Sequence, residues 1–412
     1  MSESDGESAA GRELLHKSLN TESSSGNSSY DTYNGSEKFG RRLQDIIDNG
    51  IDECVPKYPY ERVHKETRKF LKNKHKIGQG GFAKCYSAKL SIRGIQTEVA
   101  IKKINYENIN EMYYCMYEIH VTGKLRHKNI AELFYYTQKK HNESDDEDEE
   151  DQEGFFLMIM EYGGVSLKEC VIKDQLPHGK ASLTICEHTN LGLAYLHDYS
   201  SDNPINQIIH RDLKYDNILI KIKSCGGKEY VRAKIIDFGI ARNNYSEGDS
   251  TKSTTLRNVL GAKMFISPEV LDYAKKKIPI PPNVYNDKMD IYGSALNFFY
   301  SITGRLPYRM QGPYSKTTDK TIPVLPKGTE GFPLIVSNFL CKMLHPNFNM
   351  RPDAKTTANM MEQFKGRRNG QTILNDNSTQ ALISHQPSLF PFSTFLHCSI
   401  QEFQPADNLF TP

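Results

Sequence analysis

The chain contains no tryptophan, and its 8 cysteines in 412 residues never form a Cys-x-x-Cys pair. Cys54, Cys85, Cys115, Cys170, Cys186, Cys225, Cys341 and Cys398 are scattered singly, which argues against a zinc site and against a disulfide scaffold. Isolated cysteines of this kind are usually small buried apolar residues in a reducing compartment. Charge of one sign is missing too: 52 Lys+Arg stand against 50 Asp+Glu, a formal charge of +2. That balance lacks the concentrated positive field of a nucleic-acid or membrane-surface protein. No apolar run is long enough to span a bilayer, and the opening Met1-Ser-Glu-Ser-Asp-Gly-Glu-Ser has neither the basic nor the apolar part of a secretory signal. The expectation is an intracellular protein, cytoplasmic or nuclear, with neither nucleic acid nor membrane as a partner.

What is present changes along the chain. Residues 1–36 are rich in Ser, Asn, Gly and Glu and have too few apolar groups to offset the entropy of ordering, so a disordered tail is expected. Residues 37–70 form an extension, with a fragment of helical period at Leu43, Ile46 and Ile47 and an extended stretch at Tyr58-Pro59-Tyr60. Strands are expected on either side of the turn Gly78-Gln79-Gly80-Gly81, a helix over 111–126, and strands over 130–137 and 155–161. The run Phe155–Met160 is apolar throughout and suits a strand buried on both faces. Between the last two strands lies Glu143-Ser-Asp-Asp-Glu-Asp-Glu-Glu-Asp-Gln-Glu153, a self-repelling run read as a solvated surface loop or as a docking site for a basic partner. From about residue 180 the pattern is mainly helical. Leu183, Cys186, Leu193 and Leu196 share one helical face, strands flank Gly226-Gly227, and buried helices are expected over 290–303 and 333–345. An irregular tail occupies 366–412.

The chemistry is carried by motifs in a fixed order. The glycine-rich segment Ile77-Gly78-Gln79-Gly80-Gly81-Phe82-Ala83-Lys84-Cys85 would let backbone N–H groups approach an anion with no Cβ in the way. By itself this is an ordinary turn. Lys102 closes Val99-Ala100-Ile101-Lys102, and Glu118 falls on the expected helix. A lysine that holds phosphate oxygens needs an anionic partner to fix its position, although each residue alone reads as a surface charge. His210-Arg211-Asp212-Leu213-Lys214-Tyr215-Asp216-Asn217 then precedes Asp237-Phe238-Gly239 and Ser267-Pro268-Glu269. Each could be an ion pair, a turn or a helix start; those explanations do not account for all of them in one order.

In these motifs the sequence resembles the eukaryotic protein kinases, from about residue 71 to about residue 360, within a kinase domain expected over 71–365. The resemblance implies an α+β, bilobal fold, with a small β-rich lobe over about 71–163 that carries the acidic insert 143–153, and a larger α-helical lobe over about 164–365. It implies transfer of the ATP γ-phosphoryl group to proteins, with ATP and Mg²⁺ bound. ATP would be contacted by Ile77, Gly78, Gln79, Gly80, Gly81, Phe82, Ala83, Cys85, Ala100 and Lys102, with Met160 as gatekeeper and Glu161-Tyr162-Gly163 as hinge. Lys102 would bind phosphates while pairing with Glu118, Asp212 would be the base, and Lys214 would stabilise the transferred group. Asn217 and Asp237 would hold the metal. His210, Arg211, Phe238, Gly239, Glu269, Asp290 and Arg351 would be structural, with Glu269 paired to Arg351. Lys214, two residues after Asp212, implies serine/threonine substrates. Arg211 beside Asp212 implies a phosphate-regulated segment, with Ser246, Ser250, Thr251, Ser253, Thr254 and Thr255 as acceptors.

The pattern has departures. Ala83 stands at the third glycine of the loop, Ala262 replaces the Thr expected after Gly261, and Ala295 replaces a common Gly. Tyr292 fills an aromatic slot, and Thr122 replaces a large apolar residue, which implies looser packing of the first helix. The alternative that Ala262 and Thr122 favour is a pseudokinase scaffold that binds nucleotide and partners but transfers little. Gly-Gly-Phe-Ala-Lys-Cys-Tyr is similar to the loop of polo-like kinases, whereas the extra residues between His197 and Ile208 look like tyrosine-kinase-like enzymes. The subfamily stays open.

Overall fold

The computed structural model describes residues 56–80, 83–139, 154–176, 181–198, 207–243, 263–276, 281, 284–308 and 334–366. Helix α1 (Tyr60–Thr67) precedes strands β1 (Lys76–Gln79), β2 (Ala83–Ile92) and β3 (Ile95–Tyr106). Helix α2 (Ile109–Lys124), β4 (Leu133–Lys139) and β5 (Gly154–Glu161) complete the first half. The second half contains β6 (Val165–Ser166), α3 (Leu167–Ile172), α4 (Ala181–Leu196), β7 (Ile208–Ile209), β8 (Ile218–Cys225), β9 (Lys228–Ile235) and β10 (Arg242–Asn243). It ends with helices α5 (Pro268–Lys276), α6 (Lys288–Thr303), α7 (Leu334–Met343) and α8 (Ala354–Gly366). The architecture is α+β: a five-stranded sheet, in the order β1-β2-β3-β5-β4, followed by a mainly helical part that carries two small sheets.

All pairings in the large sheet are antiparallel. The register sets Cys85, Lys102 and Met158 side by side, and Ser87, Ala100 and Met160 two residues along. Residues two apart on a strand share a face, so all of these point the same way. Ile101, Leu157 and Ile159 point the other way and are nevertheless fully buried. The cover on that face comes from the N-terminal extension. Tyr58 packs on Tyr135 with ring centroids 4.6 Å apart, and Tyr60 meets Phe155 edge-on at 5.8 Å. Val63 and Thr67 are buried, the Thr67 hydroxyl donating to the Val63 carbonyl at 2.8 Å. The stretch expected to be extended at Tyr60 is the start of a helix instead, with Pro59 immediately before it, where the fixed φ of proline suits a helix entry. The extension also pairs with the sheet edge: Tyr58 N–H donates to Tyr136 O at 3.0 Å and Tyr136 N–H to Pro56 O at 3.3 Å. β4 is an edge strand, and this pairing occupies its free backbone groups. The possible helix at Leu43–Ile47, the acidic insert and most of the tail 366–412 lie outside the described residues.

α2 is started by Asn108, whose side chain accepts from Glu111 N–H at 3.0 Å while the Glu111 carboxylate accepts from Glu107 N–H at 2.9 Å. The first bond satisfies an orphan donor of the first turn, and the second ties down the residue before the cap. The helical part is built round α6, in which every residue from Met289 to Tyr300 is buried; its polar members Asp290, Ser294 and Asn297 are each hydrogen-bonded there. α6 stops at Gly304, a left-handed cap with φ 68°. Among the described residues no helix is long and apolar enough to cross a membrane.

Because Val63 of the extension is 2% exposed where α1 packs on the sheet, Val63→Asp is expected to cost roughly 3 kcal/mol by burying an unpaired carboxylate. A thermal melt of the full chain checks this, and an unchanged Tm would mean that the extension does not pack as described.

Candidate active site

The strand alternation that aims Lys102 away from the covered face brings its ammonium to two carboxylates from distant parts of the chain. One is Glu118 on α2, to which Lys102 Nζ donates directly, and the other is Asp237, whose Oδ1 accepts at 3.1 Å. Burial works against the charged lysine, but Asp237 and Glu118 outweigh it and hold its pKa above the ordinary lysine range. The same ammonium holds Asp237 down to about 2. Burial pushes Glu118 upward against the pull of Lys102. Asp237 is therefore ionised at neutral pH.

The looser packing expected at Thr122 is not found. Thr122 is buried, and its hydroxyl is satisfied by the Glu118 carbonyl at 2.7 Å, one turn back. Next to Glu118, the Tyr117 hydroxyl donates to Ala241 O at 3.1 Å. α2 is thus tied to the chain on both sides of Phe238, which is fully buried.

The second group of residues lies on the loop between β7 and β8. The Asp212 carboxylate (Oδ2) accepts from Lys214 Nζ at 2.5 Å and from Asn217 Nδ2 at 3.1 Å. Asn217 Nδ2 also donates to Asp212 O at 2.9 Å. With its amide nitrogen used in this way, the Asn217 oxygen remains available as a hard donor. Burial raises the Asp212 pKa above its ordinary value, and Lys214 opposes the rise. The loop hangs from Asp290 of α6, whose Oδ2 accepts from His210 N–H at 2.8 Å and lies 2.9 Å from His197 Nε2, while Oδ1 accepts from Arg211 N–H at 2.9 Å. Burial alone would lift Asp290; the bond from His197 and the charge of the histidines hold it below its ordinary value.

His210 links this loop to Asp237. Its Nδ1 accepts from Asp212 N–H at 3.3 Å, and its Nε2 reaches Ile236 O at 3.0 Å, which fixes the proton on Nε2. Its ring meets Phe238 edge-on at 5.1 Å. Lys102, Glu118 and Asp237 are therefore joined through His210 to Asp212, Lys214 and Asn217 in a single cluster.

The connection between the two halves runs past β8. A Cβ on Gly163 would sit 2.8 Å from Leu219 Cδ1, and one on Gly164, at φ 105°, only 2.1 Å from Ile220 O. Only glycine fits there. Glu161 is held by Lys234, a buried lysine of β9 whose Nζ donates to Glu161 Oε2 at 2.7 Å and to Ile130 O at 3.1 Å. Sequence reasoning missed Leu219, His197 and Lys234. Lys234 was detectable as a charge set directly against Ile235-Ile236 on the strand that leads to Asp237, whereas nothing local marks the partners of Leu219 or His197.

At the glycine-rich loop, Gly80 N–H donates to Ala83 O at 2.8 Å and closes the β1–β2 hairpin, and Ile77 is 44% exposed above it. Gly81, Phe82 and all of Ser246, Ser250, Thr251, Ser253, Thr254 and Thr255 lie outside the described residues, as does Ala262. Further along, Arg351 and Glu269 form the expected pair, with two bonds of 2.8 and 2.7 Å, and the guanidinium is fully buried beside the Tyr292 ring at 4.9 Å. Arg211 lies over the Tyr285 ring at 4.3 Å.

Comparison with known proteins decides what this cluster belongs to. The protein kinase domain family matches residues 71–362, most of the chain. The chain belongs to the protein kinases. This kinase is 29% identical over 309 residues to the serine/threonine-protein kinase shk1/pak1 of Schizosaccharomyces pombe, covering 73% of this chain and 38% of that protein. It is 29% identical over 234 residues to the serine/threonine-protein kinase PrkC of Bacillus subtilis, 56% of this chain and 30% of that one. It is 27% identical over 320 residues to cysteine-rich receptor-like protein kinase 2 of Arabidopsis thaliana, 76% of this chain and 40% of that one. The kinase thus spans well under half the length of these relatives.

Removing Arg351 would strand the Glu269 carboxylate in a buried site, so Arg351→Met is expected to cost about 3–5 kcal/mol. Denaturant unfolding checks it, and a loss under about 1 kcal/mol would show that the pair is replaceable by solvent.

Proposed function

We propose that this kinase is catalytically active and transfers the γ-phosphoryl group of ATP to serine or threonine of protein substrates. The observation that carries the reading is the Lys102–Glu118–Asp237 cluster joined through His210 to Asp212, Lys214 and Asn217. Phosphoryl transfer asks for positioning and neutralisation of charge more than for covalent help. In this reading the substrate alcohol oxygen attacks the γ-phosphorus, its proton passes to Asp212, and the bond to the bridging oxygen breaks as ADP leaves. Lys102 holds the inner phosphates and Lys214 faces the moving group. The glycine-rich loop covers the phosphates, and the Glu161–Gly163 backbone receives adenine over Leu219.

The donor set fits Mg²⁺. Asn217 and the ionised Asp237 offer oxygen, and among the described residues no group of three His, Cys, Asp or Glu could form a protein-only cage. A two-ligand site that shares its ion with phosphate oxygens and water is what Mg²⁺ tolerates. When bound, the ion would neutralise charge on the β- and γ-oxygens.

Preference for Ser/Thr is supported by Lys214 at its place two residues after Asp212 and by the serine/threonine kinases among the relatives. Asp212→Asn is expected to lower kcat by about 10²–10⁴-fold, with nucleotide affinity largely kept. Labelled ATP and a generic protein substrate measure this, with Lys102→Met as the blank. Wild-type transfer no greater than the blank would favour the scaffold reading to which Ala262 points.

Regulation is proposed to run through the segment between Asp237 and Glu269. Phosphate on Ser246, Ser250, Thr251, Ser253, Thr254 or Thr255 would pair with Arg211 and order the segment. Replacing all of these by Ala is expected to lower activity, and an unchanged rate in that variant would remove the idea.

A further inference from the structure

Tyr215 stands between two residues that hold Asp212. Lys214 precedes it, Asn217 closes the one-turn helix Tyr215–Asn217, and both donate to the Asp212 carboxylate. The turn is tight: Lys214 N–H donates to Asp212 O at 3.0 Å and Asn217 N–H to Lys214 O at 2.8 Å. A rotation of the turn would therefore move the Lys214 ammonium and the Asn217 amide together.

The Tyr215 ring opposes that rotation from three sides. It meets Phe265 edge-on with centroids 4.9 Å apart and Tyr300 at 4.8 Å, and it carries Lys168 Nζ 5.3 Å from its centroid. These partners come from three separate elements: the short turn Lys263–Phe265, helix α6 and helix α3. Phe265 and Tyr300 are both buried. The supports are themselves fixed. Tyr300 lies on the helix from which Asp290 suspends His210 and Arg211. Phe265 leads into α5, which is pinned by Arg351 through Glu269. Lys168 also reaches Asp216, the next residue of the turn, at 3.6 Å.

We propose that Tyr215 is a positioning residue for the transfer reaction, bracing the turn that carries Lys214 and Asn217 against α6 and the Lys263–Phe265 turn. The inference rests on the reading of Asp212 as the base. A ring that merely filled space would affect stability alone. A brace sets how often Lys214 and Asn217 occupy their working positions, and a displacement near 1 Å can cost about 10²-fold in rate.

The test uses the full chain and the variants Tyr215→Phe, Tyr215→Leu, Tyr215→Ala and Phe265→Ala. Initial rates with ATP and a peptide substrate are divided by the concentration of nucleotide-binding molecules found by titration, so that loss of folded protein does not count as loss of turnover. Tyr215→Phe is expected to stay within about twofold of wild type, while Tyr215→Leu and Tyr215→Ala lose on the order of 10- to 10²-fold in kcat with KM for ATP nearly unchanged. Phe265→Ala is expected to lose less, and combining it with Tyr215→Ala should add little further loss, as for residues that share one contact. Unchanged kcat per competent molecule, with only a lower Tm, would make Tyr215 a core filler and overturn the proposal. A rise in KM for ATP that accounts for the whole effect would overturn it as well. If wild type fails to exceed the Lys102→Met blank, the reading of the site falls and this inference with it; if wild type transfers and Tyr215→Ala transfers equally, only the inference falls.

Discussion

One ammonium shared by two carboxylates organises the site. Lys102 comes from β3, Glu118 from α2, and Asp237 from the exit of β9, so the charge fixes the sheet, the helix and the loop relative to one another. The lysine is buried, and the two carboxylates together offset the loss of its hydration. Displacing α2 would remove Glu118 and leave Asp237 alone to offset the burial of the lysine. The Tyr117 bond to Ala241 couples the same helix to the chain beyond Phe238. α2 is therefore tied both to the lysine that holds Asp237 and to the chain that follows it.

The other half of the site depends on Asp290. A buried carboxylate that receives two backbone N–H groups and a histidine has no freedom left, and the loop it holds inherits that rigidity. His210 then transmits the position of the loop to Ile236, one residue before Asp237. The two anchors are thus connected by a short chain of hydrogen bonds rather than by the general packing of one half on the other. Lys234 extends this logic to the connection between the halves, because its ammonium joins Glu161 to the strand that leads to Asp237.

Much of this could be read from residue types in order. Lys102, Glu118, Asp212, Asn217 and Asp237 converge because each belongs to a motif whose spacing marks a strand end, a helix face or a loop, and such local signals survive in a single sequence. Phe155–Met160 announced a strand buried on both faces. What covers it was not legible. Tyr58, Tyr60 and Val63 form no conspicuous pattern, since their meaning lies in a sheet edge that is assembled from residues about seventy to a hundred positions away. His197 and Lys234 escaped for the same reason: a lone histidine or lysine in an apolar stretch gains its role only from a distant partner. Thr122 misled in the opposite direction, because a polar residue in a packed helix was read as a defect although its hydroxyl can return a bond to the carbonyl one turn back.

Two of the five non-glycine residues with positive φ among the described residues stand where these anchors meet. Arg211 and Asp237 both adopt left-handed conformations, at φ 69° and 71°. Such a conformation costs of order 1–3 kcal/mol in a non-glycine residue and persists only where its surroundings over-determine it. Both residues meet that condition, Arg211 through its N–H bond to Asp290 and Asp237 through its bond to Lys102. The left-handed turn at Arg211 lies immediately before Asp212, and the one at Asp237 lies between Ile236, which is bonded to His210, and buried Phe238. A relaxed backbone at either place would swing a carboxylate out of the cluster. The electrostatic anchors therefore do more than stabilise the fold: they hold the unfavourable backbone geometry that keeps Asp212 and Asp237 close enough to interact.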